Sequence, residues 1–240
     1  MAKQNKGLTL TSRLQLLADW VPQGAAFADI GTDHAYLPVW LVVNGRVSHA
    51  IASDLRKGPL QRARETGRTY GAEGIDYRLG SGLDTVQPHE ADTIAIAGMG
   101  GENIASILAA APWTADGNHT LLLSPHTKAE QLRRYLMEHG YAILREALVR
   151  DRGTLYPVME VTAGEMTLTE GQIWGGAKLL QDPLGERYII ERIIRLQGAV
   201  AGSNRSERPE GKEKADRLRD TLTALLELRE EWRHANCPGN

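Results

Sequence analysis

The densest run of chemistry-bearing residues is FADIGTDHAYLP, in which an apolar stretch ends in Asp29, Gly31, Thr32 and Asp33 and a helical pattern opens at about Ala35. A strand that runs into such a turn and helix sets its polar residues at the carboxyl edge of a parallel sheet, where doubly wound folds bind ligands. A dinucleotide does not fit this turn: the second and third glycines that a pyrophosphate needs are replaced by Asp33 and Tyr36. Carboxylates at Asp29 and Asp33 would repel phosphate. They favour a cationic ligand, such as the ammonium or sulfonium of S-adenosylmethionine.

Three further pieces follow in order. The next apolar run ends in Asp54, with Leu55 beside it, at the distance from the first turn where an acidic residue accepts hydrogen bonds from ribose hydroxyls. The third ends in Gly80, Ser81 and Gly82, small enough to let an adenine ring lie against the backbone. The fourth is followed by Ala97, Gly98 and Met99, at the edge where a second substrate would meet the cofactor. Each piece alone also fits a plain turn or a helix cap. Their succession on consecutive strands points to a nucleoside-bearing cofactor.

The elements that must position these residues are legible in the hydrophobic pattern. AAFADIG, HAIASDL, IDYRLGS, DTIAIAG and HTLLLSP alternate with helical stretches, which predicts βαβ units and a parallel sheet. Leu10, Leu14, Leu17 and Val21 form one face of a leading helix that stops before Pro22. YAILREALVRD and TLYPVMEVT, separated by Arg152 and Gly153, predict a hairpin that adds an antiparallel strand at the sheet edge. Beyond Thr162 a glycine-containing connector leads to two helical stretches, with Ile189, Ile193, Leu196 and Val200 on the first and Leu218, Leu222, Leu225 and Trp232 on the second, where Arg229 interrupts the stripe. AGSNRSERPEG separates them, so an antiparallel helical hairpin is expected over about 184–236, either packing for stability or gripping substrate. The expected architecture is α/β: a Rossmann-like domain over 1–162 and a C-terminal α-helical, coiled-coil-like hairpin over 163–240.

In these 240 residues, 42% hydrophobic and 24% charged residues suffice for a real core, and 28 Lys plus Arg against 30 Asp plus Glu exclude a uniformly basic surface. The single cysteine, Cys237, excludes a disulfide framework and a cysteine-based zinc site. The longest apolar run, Leu37 to Val43, is far shorter than a membrane span, and the N-terminus has no apolar signal core. A cytoplasmic protein is expected.

DIGTDHAYLP, the Gly-Pro after Asp54, GSGLD and IAGMGG together resemble the bacterial tRNA (adenine-22-N1)-methyltransferases, over residues 8 to about 162 and in kind over the helical extension. The resemblance implies a Rossmann-like class I methyltransferase domain that uses S-adenosylmethionine to methylate N1 of an adenine in the D-arm region of tRNA. It assigns Asp29, Gly31 and His34 to the cofactor pocket with Thr32, Asp54 to the ribose, and Ala97, Gly98 and Met99 to the floor where the methyl group is delivered. Asp33 becomes the candidate catalytic carboxylate. Two departures stand out: Ser81 replaces the acidic residue of the family's GDGL-type motif, and Ser124, Pro125 and His126 stand where Gln-Pro-Asn is usual.

The tRNA partner has a local basic candidate in Arg56, Lys57, Arg62, Arg64 and Arg68, opposed only by Glu65; Lys128, Arg133 and Arg134 form a smaller cluster. Both also read as solvated helix faces. Tyr36, Trp113 and His126 are candidates for stacking on a flipped base or for ordinary packing. His49, His89, His119 and His139 lack metal-ligand spacing, so no metal is expected. The glycines after the fourth strand replace the Asn/Asp-Pro-Pro-aromatic loop of many N6-adenine methyltransferases, which argues against N6 as acceptor. A small-molecule methyltransferase or a catalytically silent cofactor- or RNA-binding module are the competing readings, and a monomer is favoured.

Overall fold

The four-residue run Phe27–Ile30 is buried along its whole length, as a strand covered by helices on both faces must be. In the computed structural model, which describes residues 7–203 and 209–236, it is strand β1 (Phe27–Ile30) at the centre of the sheet. Parallel to it run β2 (Ala50–Asp54), β3 (Ile75–Leu79), β4 (Thr93–Ala97) and β5 (Thr120–Ser124). The hairpin is formed by β6 (Tyr141–Asp151) and β7 (Thr154–Ala163), and the seven-stranded order is β3-β2-β1-β4-β5-β7-β6.

The hairpin differs from expectation in one respect. The antiparallel strand is β7, paired with β5, while β6 takes the edge and runs with the parallel set. The carboxyl end of β6 therefore lies at the same edge as those of β1, β4 and β5.

Helices cover both faces. Helices α1 (Ser12–Trp20) and α2 (Tyr36–Val43) bury Leu17, Leu37 and Leu41, with Val21 just past the end of α1, against Phe27, Ala95 and Leu122, and α3 (Lys57–Tyr70) packs Ala63 beside Val39 and Ala52. On the other face α4 (Gly101–Ala110) and α5 (Ala129–Glu138) bury Ile104, Leu108, Leu132 and Leu136 against Ile94, Ile96, Leu121 and Leu123.

The connector contains a helix that the sequence pattern did not reveal, α6 (Glu170–Gly175), closed at its start by a capping box between Thr169 and Gln172. The helical hairpin is α7 (Gly185–Ser203) and α8 (Pro209–Asn236), with Ile189, Ile193 and Leu196 packed on Leu225, Leu228 and Trp232. Glu186 at the start of α7 accepts from Arg229 at 3.0 Å and Arg233 at 2.7 Å near the end of α8, so the pair is antiparallel. Arg229, which interrupts the apolar stripe, is thus the cross-helix ion pair. Pro209 opens α8, where its missing N–H costs nothing. Part of the separating segment, residues 204–208, and Cys237 lie outside the described residues.

Candidate active site

The turn after β1 is held in an unusual backbone shape. Gly31, Asp33 and Ala35 all have positive φ, at 77°, 44° and 54°, and Gly31 and Thr32 donate their N–H groups to the carbonyl of Ser53 at the end of β2. Non-glycine residues in this region are strained, and such strain concentrates at functional sites. Gly31 is required by its φ, and it also lets Met99 lie close: a Cβ there would stand 2.5 Å from Cε of Met99, the flexible end of that side chain, which would have to move aside.

Two depressions meet at Gly31. One, of about 420 Å³, is lined by Ser53, Asp54, Leu55, Arg56, Gly80, Ser81, Gly82 and Met99. The other, of about 390 Å³, is lined by Asp29, Gly31, Thr32, Asp33, His34, Tyr36, Ala97 and Gly98, and on its far side by Arg13, His126, Asp151, Arg152 and Tyr156. The sequence candidates thus divide: Asp54, Leu55, Gly80, Ser81 and Met99 in the first chamber, Asp29, Thr32, Asp33, His34, Ala97 and Gly98 in the second, with Gly31 common to both.

The two carboxylates of the turn have different surroundings. Asp29 is buried and accepts the Thr32 hydroxyl at 2.5 Å; burial pushes its pKa up to about 6, against the pull of Thr32 and Arg13. Asp33 is half exposed and does not cap α2; its Oδ1 accepts from Nη2 of Arg62 at 2.5 Å, and its other oxygen lies 3.9 Å from Nε2 of His34. Asp54 fixes its own loop by accepting the Arg56 N–H at 2.8 Å.

The glycines after β4 serve close approach rather than looseness. Gly98 donates to the Ser124 carbonyl, Met99 accepts from the His126 N–H, and Gly101 donates to the Thr127 carbonyl, which closes the turns after β4 and β5 on each other. A Cβ on Gly101 would stand 2.2 Å from the Lys128 carbonyl oxygen. Ser124 is buried and donates to the Pro157 carbonyl, so its departure from the family pattern is a packing matter, whereas His126 faces the cleft and packs against Tyr156 at 5.0 Å. Burial, and then Arg13, lower the His126 pKa and keep its ring neutral near pH 7.

The basic candidates separate as well. Lys57, Arg64 and Arg68 share one stripe of α3 at 3.6 residues per turn, with Arg64 stacked on Tyr77 and donating to its carbonyl; Arg62 lies on another side, engaged with Asp33. The second cluster is no surface patch. Arg133 is fully buried on Glu146, Arg134 pairs with Glu170 and Lys128 with Glu102. Trp113 packs on the core and on His119, away from the cleft, while Tyr36 lines it and stacks on His34 at 5.2 Å. Among the described residues no group of three or more His, Cys, Asp or Glu could hold a metal ion, and no helix is long and apolar enough to cross a membrane.

Arg13, Asp151, Arg152 and Tyr156 were not singled out from the sequence. One signal was present: an arginine in the first turn of α1 opposes the helix dipole, so its place calls for another reason. The hairpin residues carried none, because their arrival at the cleft depends on β7 lying between β5 and β6.

A methyltransferase-domain family profile matches residues 10–159. The chain is 38% identical over 177 residues to the tRNA (adenine(22)-N(1))-methyltransferase of Bacillus subtilis, spanning 73% of this chain and 74% of that protein. The crystal structure of the B. subtilis m1A22 tRNA methyltransferase TrmK superposes with a TM-score of 0.84 at 32% identity, covering 92% of this chain and 99% of that one. The structure of Streptococcus pneumoniae Sp1610 in complex with S-adenosyl-L-methionine gives a TM-score of 0.80 at 32% identity, covering 92% and 100%.

Proposed function

The chain belongs to the family of bacterial tRNA (adenine(22)-N(1))-methyltransferases, and on that premise we propose that it transfers the methyl group of S-adenosylmethionine to N1 of the adenine at position 22 of tRNA. The observation that carries the reading is the place of Gly31, which lines both a chamber suited to an adenosine and the adjoining one that holds Asp33.

The first chamber fits the cofactor. Asp54 stands where ribose hydroxyls need an acceptor, and Gly80, Ser81 and Gly82 leave an adenine room beside the backbone, with Met99 on the other side. Ser81 is exposed and offers that ring a hydroxyl in place of the family's carboxylate.

S-adenosylmethionine supplies a methyl carbon on a sulfonium sulfur, so attack by the N1 lone pair needs no acid for the leaving group and leaves the base as a cation. The protein's task is alignment and exclusion of water, a contribution of several kcal/mol. Asp33 is the candidate catalytic residue: its carboxylate accepts a hydrogen bond from the exocyclic amino group, where the new positive charge spreads. Arg62 holds one Asp33 oxygen, leaving the other for the base. Gly98 gives the ring space to approach edge-on. His126, neutral beside Tyr156, provides a surface for stacking without adding charge next to the cationic product.

The stripe of Lys57, Arg64 and Arg68 supplies phosphate contacts, with Arg56 nearer the cleft. Residues 1–162 form the transfer domain and 163–240 the helical extension. The apolar faces of α7 and α8 meet within the chain, which supports a monomer, and a tRNA substrate supports a cytoplasmic location.

The test is to incubate the protein with labelled S-adenosylmethionine and unmodified tRNA, then digest and identify the nucleoside. N1-methyladenosine at position 22 is expected. Its absence, or methyl transfer that needs no RNA, overturns the reading.

A further inference from the structure

The β6–β7 hairpin reaches the cleft because its strands outrun the sheet. Leu123 pairs with Met159 one residue before β5 ends, but β7 begins at Thr154, so the turn stands about 13 Å beyond the end of β5 at ~3.3 Å per residue. Asp151 and Arg152 thereby join the wall of the chamber that holds Asp33 and Tyr36.

Turn chemistry does not account for Arg152. With Gly153 it forms a two-residue loop between the paired Asp151 and Thr154, at φ of 48° and 86°. A loop with positive φ at both positions selects Asn, Asp or Gly at the first, because other side chains are strained there. Nothing within the protein offsets that strain. The side chain is exposed, and among the described residues its guanidinium has no hydrogen bond, ion pair or aromatic contact.

The charges around it indicate what it meets. Asp33 and Asp151 line the same chamber and oppose a polyanion, Arg62 is committed to Asp33, and Nε and Nη1 of Arg13 are shielded from solvent. Yet a nucleotide within RNA carries a phosphate on each side of its ribose, so an adenine that reaches Asp33 brings two phosphates to the rim. Arg152 is an exposed and unengaged cation at that rim. It also stands across the sheet from α3, which packs by β2 and β3 at the other end of the strand order. An RNA strand crossing the carboxyl edge would meet Arg56 and Lys57 on one side and Arg152 on the other.

We propose that Arg152 binds an RNA phosphate flanking the target adenine, so that the hairpin and the start of α3 grip the strand from opposite sides of the cleft. The inference rests on the tRNA reading above. No bond or proton changes at Arg152; its effect is to hold the backbone while the base turns into the chamber.

The test pairs variants with altered RNA. Arg152→Asn suits the turn and removes the charge, whereas Arg152→Lys keeps the charge. In filter binding to the full-length protein, Arg152→Asn should weaken tRNA affinity about fivefold or more, lower the salt slope by about 0.7 and leave S-adenosylhomocysteine affinity unchanged. Arg152→Lys should keep the native slope. The contact is then located with tRNA carrying an uncharged methylphosphonate in place of either phosphate beside adenine 22, each against a control with the same 2′-deoxy sugar. One of the two should weaken native binding as Arg152→Asn does, and have no further effect on that variant. Native tRNA affinity in Arg152→Asn, a loss of S-adenosylhomocysteine binding instead, or methylphosphonate effects that simply add to the variant's, overturns the proposal. A native protein that forms no N1-methyladenosine overturns the functional reading instead, while the binding comparisons still decide the place of Arg152.

Discussion

Asp29 and Asp33 lie on either side of one glycine turn, and their surroundings give them different work. Asp33, solvated and tied to Arg62, suits a residue that must meet an incoming base. Asp33→Asn, which tolerates its φ of 44°, should lower kcat by about 10²-fold with S-adenosylhomocysteine affinity unchanged, read by single-turnover kinetics and calorimetry. An unchanged kcat would remove Asp33 from the reaction. Asp29 works against the fold. Burial raises its pKa from 3.8 to about 6, so the folded state holds this proton more tightly than the unfolded chain does. Its contribution to stability is full below pH ~4 and is lost as pH rises through ~6, leaving a buried charge that costs up to about 3 kcal/mol. Asp29→Asn should therefore melt higher than the native protein at pH ~8 and no higher at pH ~4. S-adenosylhomocysteine affinity should run the other way, weakening in the native protein below pH ~6 as Asp29, whose carboxylate favours the ligand's ammonium, is protonated.

At the scale of elements, the buried pair between α5 and β6 decides how the C-terminal part attaches. Glu146 accepts from Nε and Nη2 of Arg133 at 2.9 and 2.6 Å, and its other oxygen accepts the N–H groups of Ala177 and Lys178; Arg133 also donates to the Ile173 carbonyl. Burial works against the arginine's charge, but Glu146 more than offsets it and holds the group protonated. Glu146→Gln would strand a buried guanidinium and should cost about 3–5 kcal/mol in denaturant unfolding, with faster proteolysis within residues 164–184, whereas Arg133→Met combined with Glu146→Leu should recover much of the loss. An equal loss in single and double variants would refute the pair's role. This arrangement shows where sequence reading stops. The strands, the helices between them and the turn at Asp29 to Asp33 were legible because each is fixed by local periodicity or local backbone chemistry. Arg133 looked like part of a surface cluster, because nothing local reveals that Glu146 is opposite it. Tyr156 and Asp151 were invisible as site residues for the same reason, since strand order is set by packing across the sheet.

Over the whole molecule, a net charge of −2 leaves no general attraction for a polyanion, so binding must come from where the cations stand. Many are already engaged: Arg133 with Glu146, Arg134 with Glu170, Arg145 with Glu160, and Arg229 and Arg233 with Glu186. The exposed stripe of α3 is different, because Lys57 and Arg68 flank Arg64 along a face that points away from the core formed by Leu60 and Ala63. If these side chains reach phosphates, each releases counterions when RNA binds, and the dependence of log K on log salt counts them. Lys57→Ala with Arg68→Ala should then raise the KM for tRNA, leave S-adenosylhomocysteine affinity unchanged and reduce the salt slope by about 1.5, in filter-binding titrations over a range of salt. Arg62→Ala should act differently, since that arginine holds Asp33: its main effect is expected on kcat, with the salt slope nearly intact. A double variant with the native slope would move the RNA path off α3, and the helical extension would then have to carry the phosphate contacts.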